Sequence, residues 1–290
     1  MNPAAASQLA EAAAAVTGRG LRGPTPSGGL RVGVDLGTAV MVVLVLDERG
    51  APLAGRAQRA HVVRDGLVVD FIGAVDRLRS MKDELEVDLG ATLTRARSGY
   101  PPGVPEPERR AIANVLESAE LECAELIDEP SAANNVLGIT DGVIVDVGGG
   151  TTGIAVLQGG EVVYTADEAT GGTHFNLVIS GALDLTYEEA ERRKENAGEQ
   201  SRLLGVVRPV MEKVGTIVSR HIQDWPVESI TLVGGASAFP GFDTVIEQAT
   251  GIPTSVAPES QWVTPLGIAL GGLEHPTAAL TNSATNGSHT

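Results

Sequence analysis

The apolar residues fall into two long blocks with the same punctuation. Residues 32–46 (VGVDLGTAVMVVLVL) are echoed by residues 143–157 (VIVDVGGGTTGIAVL). In each, a β-branched run enters an aspartate, a hydrophobic residue follows, a Gly-Thr or Gly-Gly-Gly-Thr turn reverses the chain, and a second apolar run leaves. That pattern predicts a β-hairpin in each copy. A further strand opened by glycine follows each one, at 50–63 and at 159–165. Helical and strand periodicities then alternate. The first half predicts a helix over 72–89, a strand over 92–97, a helix over 107–119 and a strand over 124–128. The second half predicts helices over 173–183, 187–195 and 200–223, a strand over 229–233 and a helix over 242–250.

A β-meander feeding a βαβ pattern, written twice, predicts an α/β protein of two similar lobes that face each other across a cleft. Small-residue helices at 131–138 and 265–271 close the halves and are natural hinge elements. The expected boundaries are a first lobe over 30–139, a second lobe over 140–263, and a connecting helix over 264–272 that returns to the first lobe. Outside these, an alanine-rich stretch at 4–16 is followed by clustered glycine and proline, so residues 1–29 are expected to be a short helix candidate on a flexible segment. Ala6, Leu9, Ala10, Ala13 and Val16 fall near one helical face, which raises a docking peptide as one reading and a disordered tail as the other. No basic region precedes the stretch and Glu11 interrupts it, which argues against a secretory signal. Residues 273–290 are expected to form a disordered tail.

Composition narrows the partners. The chain of 290 residues is 42% hydrophobic, enough for large cores without metal or disulfide staples. Its single cysteine, Cys123, excludes an internal disulfide framework and points to a reducing, cytosolic compartment. A formal net charge of -16 and 3% aromatic content argue against nucleic acid as a partner. No uninterrupted apolar run approaches the ~18 residues of a membrane span.

The glycine turns carry the candidate chemistry. A tight glycine turn between strands leaves backbone N–H groups pointing into one concavity, a cradle for phosphate. Asp35 and Asp146 occupy the same point of the two hairpins, so a pseudo-twofold would bring both carboxylates to one cleft. Mg²⁺ keeps most of its waters and is commonly held by one or two carboxylates plus phosphates, which makes this pair a candidate metal site through water. Each turn alone also reads as a plain hairpin with an Asx-type turn. The coincidence of Asp, Gly and Thr in both copies is what that plainer reading leaves unexplained. A third glycine turn, Gly234, Gly235 and Ala236, follows the strand predicted at 229–233. The histidines at 61, 174, 221, 275 and 289 show no metal-ligand spacing, although His174 beside Gly171 and Gly172 is a candidate for the cleft wall. Trp225 and Trp262 read as packing anchors.

Taken in order, these motifs resemble those of the superfamily that joins actin, sugar kinases and heat-shock-chaperone ATPases. VGVDLGTAV (32–40) is similar to its first phosphate loop and DEPSAANNVLG (128–138) to its first connecting helix. VIVDVGGGTTGIAV (143–156) is similar to its second phosphate loop, ITLVGGASAFPGF (230–242) to its adenosine loop, and TPLGIALGG (264–272) to its second connecting helix. The resemblance covers about 30–272 and implies two ribonuclease-H-like lobes with ATP and Mg²⁺ between them. More specifically, VVRDGLVVDFIGAV (62–75), NVLESAELE (114–122), YTADEATGGTHF (164–175) and EEAERRK (188–194) resemble the EutJ family, chaperone-like proteins encoded with ethanolamine-utilisation bacterial microcompartments.

Carried over by position, the resemblance implies that Asp35 and Asp146 hold hydrated Mg²⁺. It implies that Gly37, Thr38, Gly148, Gly149, Gly150, Thr151 and Thr152 hold phosphates, and Gly171 and Gly172 are further nucleotide-binding candidates. Gly234, Gly235 and Ala236 would face the adenosine, and Glu191 and Lys194, one helical turn apart, the ribose. A plain surface ion pair is the other reading of Glu191 and Lys194. Glu129 matches the acidic residue that helps place the attacking water, and with Asp146 it forms the candidate catalytic pair. The same glutamate also suits a helix start on dipole grounds. The chain departs from the chaperones at Ala39 and Val40, where they carry a hydroxyl residue, and their phosphate-contacting lysine has no evident counterpart. Slow or absent hydrolysis is therefore expected. The sequence ends soon after the second connecting helix, so any client, expected to be a microcompartment enzyme or shell protein, would be held by the ATPase body. A small-molecule kinase and a nucleotide-binding scaffold without turnover are the rival functions.

Overall fold

The computed structural model describes residues 2–18, 28–64 and 67–272, and the tail expected at 273–290 lies outside the described residues. Helix α1 (Pro3–Val16) opens the chain. The first sheet takes β1 (Arg31–Leu36), β2 (Val40–Leu46) and β3 (Pro52–Arg59) as an antiparallel meander. A small hairpin, β4 (Val63–Arg64) with β5 (Leu67–Val68), leads into α2 (Phe71–Leu89). Strand β6 (Arg95–Tyr100), α3 (Glu106–Ser118), β7 (Glu122–Asp128) and α4 (Glu129–Leu137) complete the lobe. Strand order is β3-β2-β1-β6-β7, with β6 parallel to β1 and to β7.

The second half repeats the plan. Strands β8 (Gly142–Val147), β9 (Thr152–Gln158) and β10 (Glu161–Glu168) form the meander. Helices α5 (Gly172–Leu183), α6 (Tyr187–Glu195) and α7 (Ala197–Ile222) cross over to β11 (Ile230–Val233). Then come α8 (Phe242–Thr250), β12 (Thr254–Val256) and α9 (Val263–Leu270). The order β10-β9-β8-β11-β12 matches the first sheet strand for strand. The repeat extends to register: Asp35 pairs with Val42 and Asp146 with Gly153, and 146 − 35 and 153 − 42 both equal 111.

Both sheets are covered on two faces, which is why β2 and β8 read as continuous apolar runs. On one face of the first sheet Val34, Val43 and Val45 pack with Leu78, Leu85, Val115 and Leu116. On the corresponding face of the second, Val145 and Val156 pack with Phe175, Met211, Val214 and Phe242. The inner faces share one core, in which Val42 and Leu44 of β2 and Ile144 and Leu157 of the second sheet meet Ala133, Val136, Leu266 and Ala269 of α4 and α9. The two connecting helices cross without clearance. A Cβ at Gly267 would lie 1.7 Å from the Ala132 carbonyl oxygen, and Asn135 donates to the Gly267 carbonyl at 3.2 Å. Only glycine fits at that crossing.

The short helix expected near residues 4–16 is present as residues 3–16 and is packed, which departs from the disordered-tail reading of that stretch, while residues 19–27 of the linker expected after it lie outside the described residues. Asn2 caps α1, accepting from the Ala4 N–H at 3.0 Å, and Leu9 and Ala12 are fully buried against β2, β3 and α9. The inward face runs through Leu9, Ala12 and Ala15, whereas Ala10 is exposed. Alanine carries little apolar area, so its periodicity signals a core face weakly. What it permits is close approach, and Val16 comes so near that a Cβ at Gly55 would lie 2.7 Å from its Cγ2. Strand β6 begins three residues later than the pattern placed it, and the short β12 was not anticipated. No helix among the described residues is long and apolar enough to cross a membrane.

Candidate functional site

Asp35 is the penultimate residue of β1, and Asp146 that of β8. Each is followed by its glycine turn, and the two turns abut. A Cβ at Gly149 would lie 2.7 Å from Ala39 Cβ, and one at Gly150 would lie 2.9 Å from Thr38 Cγ2. This contact accounts for Ala39, since a larger side chain there would part the turns. The second turn is braced from behind by Gly172 and Thr173, whose N–H groups donate to the carbonyls of Gly148 and Gly149 at 2.9 and 2.8 Å. Gly171 completes the brace, with a Cβ there reaching to within 2.7 Å of the Gly148 carbonyl oxygen.

Three carboxylates converge beneath the turns. Asp128 accepts from the Ser131 N–H at 3.0 Å and caps α4, which fixes Glu129 at the helix start. Burial raises the pKa of Asp35 to about 7, helped by the charge of Asp146. Glu129 is pushed well above the usual carboxylate range by burial first, then by Asp35, Asp146, Asp167 and Asp128. Asp146 is raised by burial and partly relieved by the Thr264 hydroxyl, which donates to its Oδ2 at 2.6 Å. Gly234, at φ +87°, allows the third turn to close on this group, since a Cβ there would lie 2.3 Å from Asp146 Oδ1. No cluster of three or more His, Cys, Asp or Glu positioned to bind a metal directly occurs among the described residues. The donor set therefore fits a hydrated cation that completes its shell with water and phosphate, and the penalty on the ionised carboxylates favours such a cation.

At the other end of the cleft, Glu191 and Lys194 of α6 pair at 3.3 Å, and Asn176 of α5 donates to the second oxygen of Glu191. Turns, carboxylates and pair line one cavity of about 480 Å³, within the ~300–1,000 Å³ of small-molecule sites. Asp35, Gly37, Thr38, Glu129, Asp146, Gly148, Gly149, Gly150, Thr151, Gly172, Glu191, Lys194, Gly234, Gly235 and Ala236 all lie on its wall.

Two of the nucleotide-binding candidates, Thr152 and Gly171, do not. Thr152 is fully buried, and its hydroxyl donates to the Thr170 carbonyl at 2.5 Å. As the first residue of β9 it points away from Thr151, because strand side chains alternate. Gly171 supports the turn from behind. His174 also stays off the wall, its Nδ1 accepting from the Gly171 N–H at 3.2 Å. His221 sits between Tyr164 and Glu168, at 2.7 and 3.0 Å. The wall further includes Gln200, Phe239, Gln261, Trp262 and Thr264, of which only Trp262 was singled out from the sequence, as a packing anchor.

Two lobes of this topology, with paired glycine turns and connecting helices crossed between them, define an actin-like ATPase fold. Two family models match: type IV pilus assembly protein PilM over residues 125–264, and MreB/Mbl protein over residues 54–190. MreB5 of Spiroplasma citri, crystallised with AMPPNP, superposes at a TM-score of 0.69 with 19% identity, covering 83% of this chain and 95% of that one. At that identity the likeness is one of fold. The ethanolamine utilization protein EutJ of Escherichia coli K12 is 42% identical over 246 residues, 84% of this chain and 87% of that protein. The crystal structure of EutJ from Carboxydothermus hydrogenoformans superposes at a TM-score of 0.87 with 40% identity, covering 93% of this chain and 98% of that one. The chain belongs to the EutJ family.

Proposed function

We propose that this protein is an ATP-binding switch whose two lobes close on ATP and Mg²⁺, and which acts in the cytosol on a microcompartment enzyme or shell protein. The observation that carries the reading is the single cavity wall on which both glycine turns, three raised carboxylates and the Glu191–Lys194 pair meet. Backbone N–H groups of the turns would take the phosphates, Asp35 and Asp146 would hold the water shell of the cation, and Glu191 with Lys194 would take the ribose. When bound, Mg²⁺ would neutralise charge on the phosphates.

Glu129 is suited to orient a water and accept its proton, a general-base role in which a raised pKa improves proton affinity. Among the described residues Lys194 is the one lysine or arginine on the cavity wall, and it lies at the ribose end. Full positive charge at the phosphate end would therefore come from the cation, with only backbone N–H dipoles beside it, which supports slow turnover and strong metal dependence. Calorimetric titration with ATP, with and without Mg²⁺, tests the binding. A partner pull-down from native cytoplasm in ATP against ADP tests the switch. Partners captured equally in both nucleotides would refute the switch, and no heat with Mg²⁺ and ATP would refute the site.

A further inference from the structure

The ion pairs that cross between the lobes, among the described residues, are both made by Arg59. It is the last residue of β3, the edge strand of the first sheet. Its Nη1 lies 3.3 Å from Oε1 of Glu191, and its Nη2 donates to both carboxylate oxygens of Glu195, one turn further along α6. Glu191 is thereby held from three sides, by Arg59, by Lys194 at 3.3 Å and by Asn176. Arg59 is also joined to the phosphate end of the cleft, because the next residue, Ala60, donates its N–H to the Ala39 carbonyl at 3.1 Å. Arg77 holds the Arg59 carbonyl from behind at 3.3 Å. One arginine thus links the strand that anchors the first turn to the carboxylate at the ribose end of the other lobe.

We propose that Arg59 is a positioning residue for the nucleotide: it ties Glu191 and Glu195 to the first lobe across the mouth of the cleft, so that nucleotide release requires this ion pair to break. The inference rests on the nucleotide reading of the cavity and adds to it a residue that does not line the cavity. Glu191 is 14% exposed at its side chain, whereas Arg59 and Glu195 are 55% and 50% exposed. The link is therefore breakable and sensitive to salt, as exposed pairs are. Arginine suits the position because its planar fork engages two carboxylates at once.

The test is release of α-³²P-labelled ATP from the full chain in Mg²⁺, chased with unlabelled ATP and read by filter binding at low and high salt. Arg59→Gln should release about 3- to 10-fold faster than the parent, the range expected for one exposed and one half-buried pair. Arg59→Lys should recover part of the difference. Raising ionic strength should speed release from the parent and leave Arg59→Gln nearly unchanged, a response that a packing role would not produce. Glu195→Gln, at a half-exposed position, should shift release in the same direction and serves if Arg59→Gln lowers the melting temperature. Equal release from the parent and from both substituted proteins overturns the proposal while leaving the nucleotide site standing. A parent that retains no labelled ATP overturns both.

Discussion

Replacing Asp35 by asparagine should make the ligand-free protein more stable while removing the cation site proposed for the carboxylate. Burial and Asp146 raise the folded pKa of Asp35 from 3.8 to about 7, so between those values the folded state holds a proton that the unfolded chain has released. Where the folded state binds more protons, stability falls as pH rises. The loss accumulates from about pH 4 and levels off above pH 7. A shift of roughly 3 units at about 1.36 kcal/mol each sets a ceiling of about 4 kcal/mol at pH 8. Asp35 is partly open to the cleft, so solvent screening brings the working figure to about 2 kcal/mol. Asparagine keeps the shape and never ionises. Asp35→Asn should therefore gain about 2 kcal/mol at pH 8 and about half of that at pH 5, where the folded Asp35 is largely protonated. At roughly 2–4 °C per kcal/mol this is about 4–8 °C in melting temperature at pH 8. The assay is urea and thermal unfolding at both pH values, with and without Mg²⁺ and ATP. The parent should gain stability from the ligands and the variant should gain little. An Asp35→Asn protein that is less stable than the parent at pH 8, or whose advantage does not shrink at pH 5, would refute the electrostatic reasoning.

Glu129→Gln should leave nucleotide affinity intact or slightly improved and slow single-turnover hydrolysis by roughly 10²–10⁴-fold, the usual contribution of a positioned general base. Equal rates at equal affinity would leave Glu129 as a charge at the start of α4 with no part in hydrolysis. Saturation with ATP and Mg²⁺ at a hundredfold excess over the dissociation constant should stabilise the parent by about 2.7 kcal/mol. Asp146→Ala should lose the Mg²⁺-dependent part, and an unchanged thermal shift would place the cation elsewhere. Leu9→Ala in α1 should cost about 2–5 kcal/mol in urea unfolding, as for a fully buried leucine, and a cost below about 0.5 kcal/mol would mean that α1 is not docked in solution.

What the sequence disclosed were the features written locally. The two hairpins were legible because each aspartate stands at a fixed distance from a glycine turn, and that distance sets the register that pairs Asp35 with Val42 and Asp146 with Gly153. Thr151 and Thr152 could not be told apart, since the motif gives the order of residues and strand alternation decides which one faces the cavity. Contacts between distant segments left no local trace. Thr264 meets Asp146 across 118 residues and Arg59 meets Glu195 across 136. The docking of α1 was hidden for a different reason: its inward face is mostly alanine, and the fit depends on the missing Cβ of Gly55 rather than on apolar area.

On the nucleotide reading, the charges of the cleft would couple occupancy to closure. Asp35 belongs to the first lobe, Asp146 to the second, and Glu129 to the helix between them, so ionising all three sets like charges against each other across the very boundary that closure narrows. At the mouth the signs are opposite, with Arg59 of the first lobe drawn to Glu191 and Glu195 of the second. Without a cation the floor opposes closure and the mouth favours it, and protons on the carboxylates offset part of the repulsion. A hydrated dication on the floor would reverse the first effect without touching the second. The repulsion that makes Asp35 costly to stability is thus the same term that a bound metal would relieve, which is why the aspartate that weakens the empty protein is the one expected to respond most to its ligands.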